Sequence, residues 1–203
     1  LLIPISVLVY WVVRGLAAGE QISLPWDHIE NTLFVAVAAA LTTVIASIPI
    51  AMLSVRYPSY ISTLLERLSY VGFALPGIVV ALAMVFFGIR YAAPLYQTTT
   101  LLIFAYMVLF LPAALGNVRA SLVQISPVIE QAARILGKSP SQVFTTITLP
   151  LLISGILAGS IMVFMLTMKE LPATLILSPI GFQTLATSIW SATEDGFFAT
   201  AST

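Results

Sequence analysis

Cysteine is absent from the 203 residues, and histidine occurs once, at His28. The first absence excludes disulfides and thiolate metal sites; the second removes the H-E-x-x-H pattern and leaves no Ser/His pair with supporting context. Charge is scarce as well. Eight basic and eight acidic residues make up 8% of the chain, against about 25% in a soluble domain. The formal net charge is zero, so the basic field that a nucleic-acid partner requires is missing. Carboxylates, tyrosines and the histidine nowhere cluster closely enough to build a buried metal site, and Asp27, His28 and Glu30 are expected in a short outside loop whose segment begins with Pro25. The alternating apolar and polar runs of an outer-membrane barrel are missing too. What remains is a chain that is 60% hydrophobic with a mean hydropathy of +1.07, for which a bilayer is the tolerant solvent.

Crossing ~30 Å of hydrocarbon takes about 20 apolar residues in a helix. Four runs meet that length: about Asn31 to Ser54, Ser69 to Ile89, Thr99 to Leu115, and Leu151 to Met168. The opening run LLIPISVLVYWVV is too short before Arg14 and lacks the leader and cleavage pattern of a signal peptide, so it reads as a truncated first span. About five spans are expected, in one partial domain over residues 1–203 that is a piece of a longer polypeptide, truncated at both ends. Pro49, Pro76 and Pro112 lie inside or near the ends of spans and predict kinked, bundled helices. Gly155-x-x-x-Gly159, beside Ser154, Ala158 and Ser160, offers a smooth face for packing within the bundle. Alternation places Arg56, Arg67, Arg119, Arg134 and Lys138 on the cytoplasmic side. Arg14, Arg90 and Lys169 fall on the far side, with Glu20, Asp27, Glu30, Glu194 and Asp195.

Between two of these runs lies a polar segment, SPVIEQAARILGKSPSQVFTTITLP, from Ser126 to Pro150. Ser126 is an N-cap with Pro127 at the first helical position, and Gly137 stands where a helix ends in a left-handed residue. A helix of about ten residues, roughly 15 Å long, is expected between them. Ser139 caps again, with Gln142 at the spacing of a capping box, and a second helix runs towards Leu149 and Pro150. Ala132 and Ala133 let another surface approach closely, while Arg134 and Lys138 keep the segment in water.

This segment resembles the EAA loop of permease subunits of binding-protein-dependent ABC importers, whose pattern is Glu-Ala-Ala, three residues, Gly, nine residues, Ile, one residue, Leu-Pro. Ala132, Ala133, Gly137, Ile147, Leu149 and Pro150 fall at that spacing; Gln131 stands in place of the Glu, with Glu130 beside it. The resemblance implies an all-α, polytopic transmembrane helical bundle of the type I ABC importer permease (MetI-like) fold, multi-pass in a bacterial inner membrane. It implies that residues 126–150 form a coupling loop, through Glu130, Gln131, Ala132, Ala133, Arg134, Gly137, Ile147, Leu149 and Pro150. The partners it implies are an ABC ATPase dimer, a periplasmic or lipoprotein substrate-binding protein, a second permease half, fused or separate, and the lipid bilayer. ATP and Mg would reside on the ATPase, and no cofactor, metal site or catalytic residue is expected in this chain. Gly137-Lys138-Ser139 matches the end of a phosphate-binding loop, but position 132 is Ala and the preceding segment reads as helix, not strand.

A second informative run, KELPATLILSPIGFQTLATSIW from Lys169 to Trp190, is interrupted by prolines and too short to span again. Irregular backbone at membrane depth is tolerated where it is buried or lines a cavity, and ionisable residues there are functional candidates. The run is similar to the equivalent region of ferric-iron importer permeases, second half, which implies ferric iron as cargo and a pathway or gate near Lys169, Glu170, Pro172 and Thr174. Rival cargoes are thiamine, phosphonate, sulfate and polyamine. A rival of another class is an ion-driven secondary transporter, which predicts an inverted repeat that this sequence does not show.

Overall fold

The computed structural model describes residues 2–17, 25–196 and 201; Glu20 lies outside them. Helix α1 covers Leu2–Ala17 and is 16 residues long. Helix α2, Trp26–Arg56, runs through Pro49 without a break. Its buried positions, among them Val35, Ala36, Ala39, Ala40, Thr43, Val44, Ser47 and Ala51, recur every three or four residues along one stripe.

The span expected over Ser69 to Ile89 is instead two pieces. Helix α3 (Tyr60–Ser69) starts on a Ser59–Ser62 capping box and passes into the short α4 (Val71–Ala74). Leu75 is extended, as the residue before a proline prefers, and α5 (Gly77–Tyr91) leaves at a bend of 112°. Helix α5, with 15 residues, is shorter than the hydrocarbon core.

Helix α6 covers Thr99–Gln124 and continues nine residues past the end of its apolar run, because Asn117 and Arg119 end hydrophobicity without ending a helix. Pro112 removes the donor that the Val108 carbonyl would receive within the helix. That carbonyl is the group against which Gly72 packs; a Cβ there would strike it, whereas the glycine can point a Cα hydrogen at it. Helix α6 continues through Pro112 with Gly72 packed on the carbonyl that the proline leaves without its helical donor.

Helices α7 (Pro127–Ile135) and α8 (Pro140–Val143) form the loop segment, and a π-helical turn, Phe144–Thr148, joins α8 to α9 (Leu149–Met168). The second helix expected to run towards Leu149 and Pro150 therefore continues through them into α9. Leu149 N–H donates to the Phe144 carbonyl, five residues back, and the widened turn admits the proline ring that a regular α-turn would exclude. The short α10 (Pro172–Leu177) and α11 (Leu185–Glu194) complete the described elements.

Helices α2, α6 and α9 pack mutually, with α6 as the central column. In a bilayer such packing rests on close approach and internal hydrogen bonds, since lipid is as apolar as leucine. Gly155 and Gly159 supply the approach: a Cβ at Gly155 would lie 2.9 Å from the Asn117 carbonyl, and one at Gly159 would lie 3.4 Å from Ala114. The small-residue face thus serves the bundle. At one end, Asn31 donates to the Gln183 carbonyl at 3.0 Å and Leu185 N–H donates to Thr32. At the other end, Arg56 reaches the carbonyls that close α6. So α2 and α6 run parallel and α9 antiparallel. Among the described residues three helices are long and apolar enough to cross a membrane, or four if the bent pair α3–α5 counts as one, with α1 shorter.

Candidate functional site

The loop at the shared end of α2 and α6 is built by local chemistry. Ser126 accepts from the Val128 N–H at 3.4 Å and opens α7. The helix closes in a Schellman arrangement, with Gly137 at φ +88°, its N–H on the Arg134 carbonyl at 3.0 Å and the Lys138 N–H on the Ala133 carbonyl at 3.1 Å. Ser139 and Gln142 then cap α8 reciprocally: Ser139 N–H donates to Gln142 Oε1 at 2.9 Å, and Gln142 N–H donates to Ser139 Oγ at 3.4 Å.

The sequence-predicted residues divide between two faces. Gln131, Ala132, Arg134 and Pro150 are exposed, Ile147 and Leu149 half-buried, and Glu130 and Ala133 buried. The Glu130 carboxylate faces into the protein. Arg56 donates to it through Nε at 3.0 Å and Nη2 at 3.2 Å, and the Thr148 hydroxyl donates to its Oε1 at 3.0 Å. Only 9% of the Arg56 side chain and 8% of the Glu130 side chain is exposed. Sequence reasoning missed Arg56 and Thr148 as members of this loop's structure, because no local pattern links positions 56 and 130. It also missed the tip. Ile135 is 86% exposed and Leu136 84% exposed, beside Gly137 and outside any span.

At the opposite end α9 stops at Lys169, which is exposed, and the chain breaks before α10. Glu170 is half-buried; its Oε1 accepts from the Ala173 N–H at 3.2 Å and lies where a Cβ on Gly77 would come within 2.6 Å. The carboxylate thus sits between the first turns of α5 and α10, with no ion pair among the described residues. Pro172 is exposed, but Thr174 is fully buried: Tyr106 donates to its hydroxyl at 2.6 Å, and that hydroxyl donates to the Glu170 carbonyl. Thr174 therefore fastens α10 to α6 and presents no surface, whereas Lys169, Glu170 and Pro172 do.

Two further features were not anticipated. Asn117 donates to Met162 Sδ at 3.5 Å, and the Ser121 and Ser154 hydroxyls lie 3.3 Å apart, giving α6 and α9 a partly exposed polar seam. Arg119 pairs with Glu66 at 2.9 Å, tying α3 to α6. Among the described residues no three His, Cys, Asp or Glu side chains come together as metal ligands.

A family profile described as the inner membrane component of binding-protein-dependent transport systems matches residues 43–203. An Fe(3+)-transport system permease protein of Haemophilus influenzae is 39% identical over 201 residues, covering 98% of this chain and 40% of the relative. A molybdenum transport system permease protein of the same organism is 32% identical over 158 residues, 72% of this chain and 69% of that protein. A putative 2-aminoethylphosphonate transport system permease protein of Salmonella typhimurium is 28% identical over 174 residues, 86% of this chain and 66% of that protein. The chain thus spans two fifths of the length of the iron-transport relative.

Proposed function

The chain belongs to the family of inner-membrane components of binding-protein-dependent transport systems, and from that premise we propose that it forms part of the translocation path of an ATP-driven importer, with ferric iron as its cargo. One observation carries the coupling to an ATPase: two large apolar side chains, Ile135 and Leu136, stand in the open at the tip of a polar, rigidly capped loop outside the membrane spans. Exposed apolar surface of this kind marks a protein contact. In this reading the tip, with Gln131, Ala132 and Arg134 around it, docks on an ABC ATPase dimer that holds ATP and Mg. The chain itself binds neither. Its Gly137-Lys138-Ser139 stretch closes one helix and caps the next, and Lys138 Nζ is engaged with the Thr146 hydroxyl at 3.0 Å.

A periplasmic or lipoprotein binding protein delivers the cargo to the opposite end, and a second permease half, fused or separate, completes the pore. Glu170 supports a cationic cargo. It is a hard oxygen donor without an ion-pair partner among the described residues, at the end where cargo would enter. The name of the iron-transport relative supports the same assignment.

The test is uptake of radiolabelled ferric iron in cells lacking the full-length gene, complemented by the parent or by Ile135→Asp. Uptake restored by the parent and lost in Ile135→Asp is the expected result. Iron uptake that is normal without the gene, together with a loss of molybdate or phosphonate uptake, overturns the cargo and keeps the importer. Full transport by Ile135→Asp overturns the docking tip.

A further inference from the structure

The docking tip accounts for how α7 could meet an ATPase, but not for how a push on α7 would reach the membrane spans. Covalently, α7 is joined to α6 through Ile125 and Ser126, and to α9 through a glycine turn and the π-helical turn. Such connections bend. Among the described residues one buried polar link is stiff. The Arg56 guanidinium, at the last residue of α2, holds both oxygens of Glu130 on α7 and also donates through Nη2 to the Ile125 carbonyl at 2.8 Å and the Leu122 carbonyl at 3.4 Å, where α6 ends. Thr148, at the end of the π-turn leading into α9, donates to the same carboxylate. One buried cluster therefore joins α7 to the inner ends of α2, α6 and α9.

We propose that Arg56, Glu130 and Thr148 are positioning residues that act as a strap, transmitting displacement of the α7 tip to three spans at once; this rests on the reading that the tip docks on an ATPase. Several features favour a strap over a simple staple. A buried ion pair is weak evidence for stability, and an apolar contact would hold a static loop as well. A two-pronged guanidinium–carboxylate contact instead fixes orientation, so α7 cannot roll without turning what Arg56 holds. Arg56 at the C-terminal ends of two helices also meets the last carbonyls of α6, which favour a cation. The remaining polar ties of the loop are exposed: Arg134 Nη2 reaches the Tyr57 hydroxyl at 3.4 Å, and Lys138 reaches Thr146. Within the loop, Glu130 is the buried charge. The π-turn fits the same role, since its extra residue in the turn leaves Thr148 directed at Glu130.

The stretch described here contains no cysteine, which permits a direct test in the full-length permease, freed of other accessible thiols and assembled with its ATPase in nanodiscs. Arg56→Cys with Glu130→Cys removes the strap and allows a short thiol-bridging reagent to replace it. The readout is the thiol accessibility of a reporter, Ser154→Cys on α9, before and after trapping the ATPase with vanadate, alongside retention of the ATPase on the permease. The parent is expected to retain the ATPase and to change accessibility on trapping. The unbridged double variant should retain the ATPase while the accessibility change falls about tenfold, and bridging should restore it. Glu130→Gln, which keeps the shape of the side chain, should give an intermediate loss and guards against misfolding of the cysteine pair. An undiminished change in both the unbridged pair and Glu130→Gln overturns the strap. A parent that binds no ATPase, or an Ile135→Asp variant that binds it as well as the parent, overturns the docking reading instead and removes the strap's driver.

Discussion

Two of the molecule's carboxylates, Glu130 at one end and Glu170 at the other, live differently. Glu130 is buried, held by both prongs of Arg56 and by the Thr148 hydroxyl, at the junction of four elements. Glu170 is half-buried, accepts one backbone N–H, and has no basic partner among the described residues. The first takes three donors, two of them from a buried counter-charge, and serves to fasten. The second keeps acceptor capacity facing an irregular break between helices, at the place where a cation could use it. In the proposed importer the contrast would be a division of labour, with the fastened end receiving force and the end around Glu170 meeting cargo.

The comparison breaks most visibly if the inner cluster is cut. Arg56→Ala leaves a carboxylate buried without its counter-charge, a loss of about 3–5 kcal/mol, and the melting temperature of the purified permease in detergent should drop accordingly. Removing Glu130 as well should recover part of that loss, because the orphaned charge is gone. A double variant as destabilised as the sum of the two singles would show that the pair is not coupled. The next effect in size falls on the loop's backbone. Gly137→Val forces a β-branched residue to φ +88°, at about 1–2 kcal/mol, and ATPase retention should weaken because the tip at Ile135 and Leu136 loses its fixed pose. Retention equal to the parent's would detach the tip's geometry from docking. At the outer end, Tyr106→Phe removes the donor to Thr174 and should cost about 1 kcal/mol in the same melting measurement, well under the Arg56 effect. A loss equal to that of Arg56→Ala would erase the distinction between a stiff end and a loose one.

What was legible in the sequence follows the range over which each feature is determined. The caps at Ser126, Gly137, Ser139 and Gln142 are set by residues within one or two turns, and each appears where its spacing predicts. The long spans are legible because continuous apolar runs suit a bilayer, and the helical class follows from them. The three prolines show where such reading stops. Pro49 and Pro112 sit within continuous helices, whereas Pro76 sits at a 112° bend. Nothing beside Pro112 in sequence announces that Gly72, forty residues away, packs on the carbonyl it frees. The Arg56–Glu130 pair is hidden for the same reason, since both residues look like ordinary loop charges until α2 and α7 meet. Gln131 stands where the family pattern has glutamate, Glu130 lies next to it, and the fold turns that carboxylate inward.

The smallest stability effect should come with a distinct functional one. Glu170→Gln preserves shape, retains an oxygen for the Ala173 N–H and removes a charge that has no ion-pair partner among the described residues. Its stability should therefore change by only a few tenths of a kcal/mol, as for a substitution that breaks no buried pair. If Glu170 contributes to a cation's path, however, the neutral amide removes the attraction that makes its position useful, and ferric iron uptake should fall while ATPase retention and melting temperature stay at parental values. Glu170→Asp keeps the charge but withdraws it by one methylene, and should fall between the two. Uptake unchanged in Glu170→Gln would reduce the outer carboxylate to a local cap of α10. Uptake lost together with the melting temperature would instead make it a fastener like Glu130. Only loss of uptake at constant stability preserves the contrast between the two ends, because only that result separates a group that holds the protein from one that handles what passes through it.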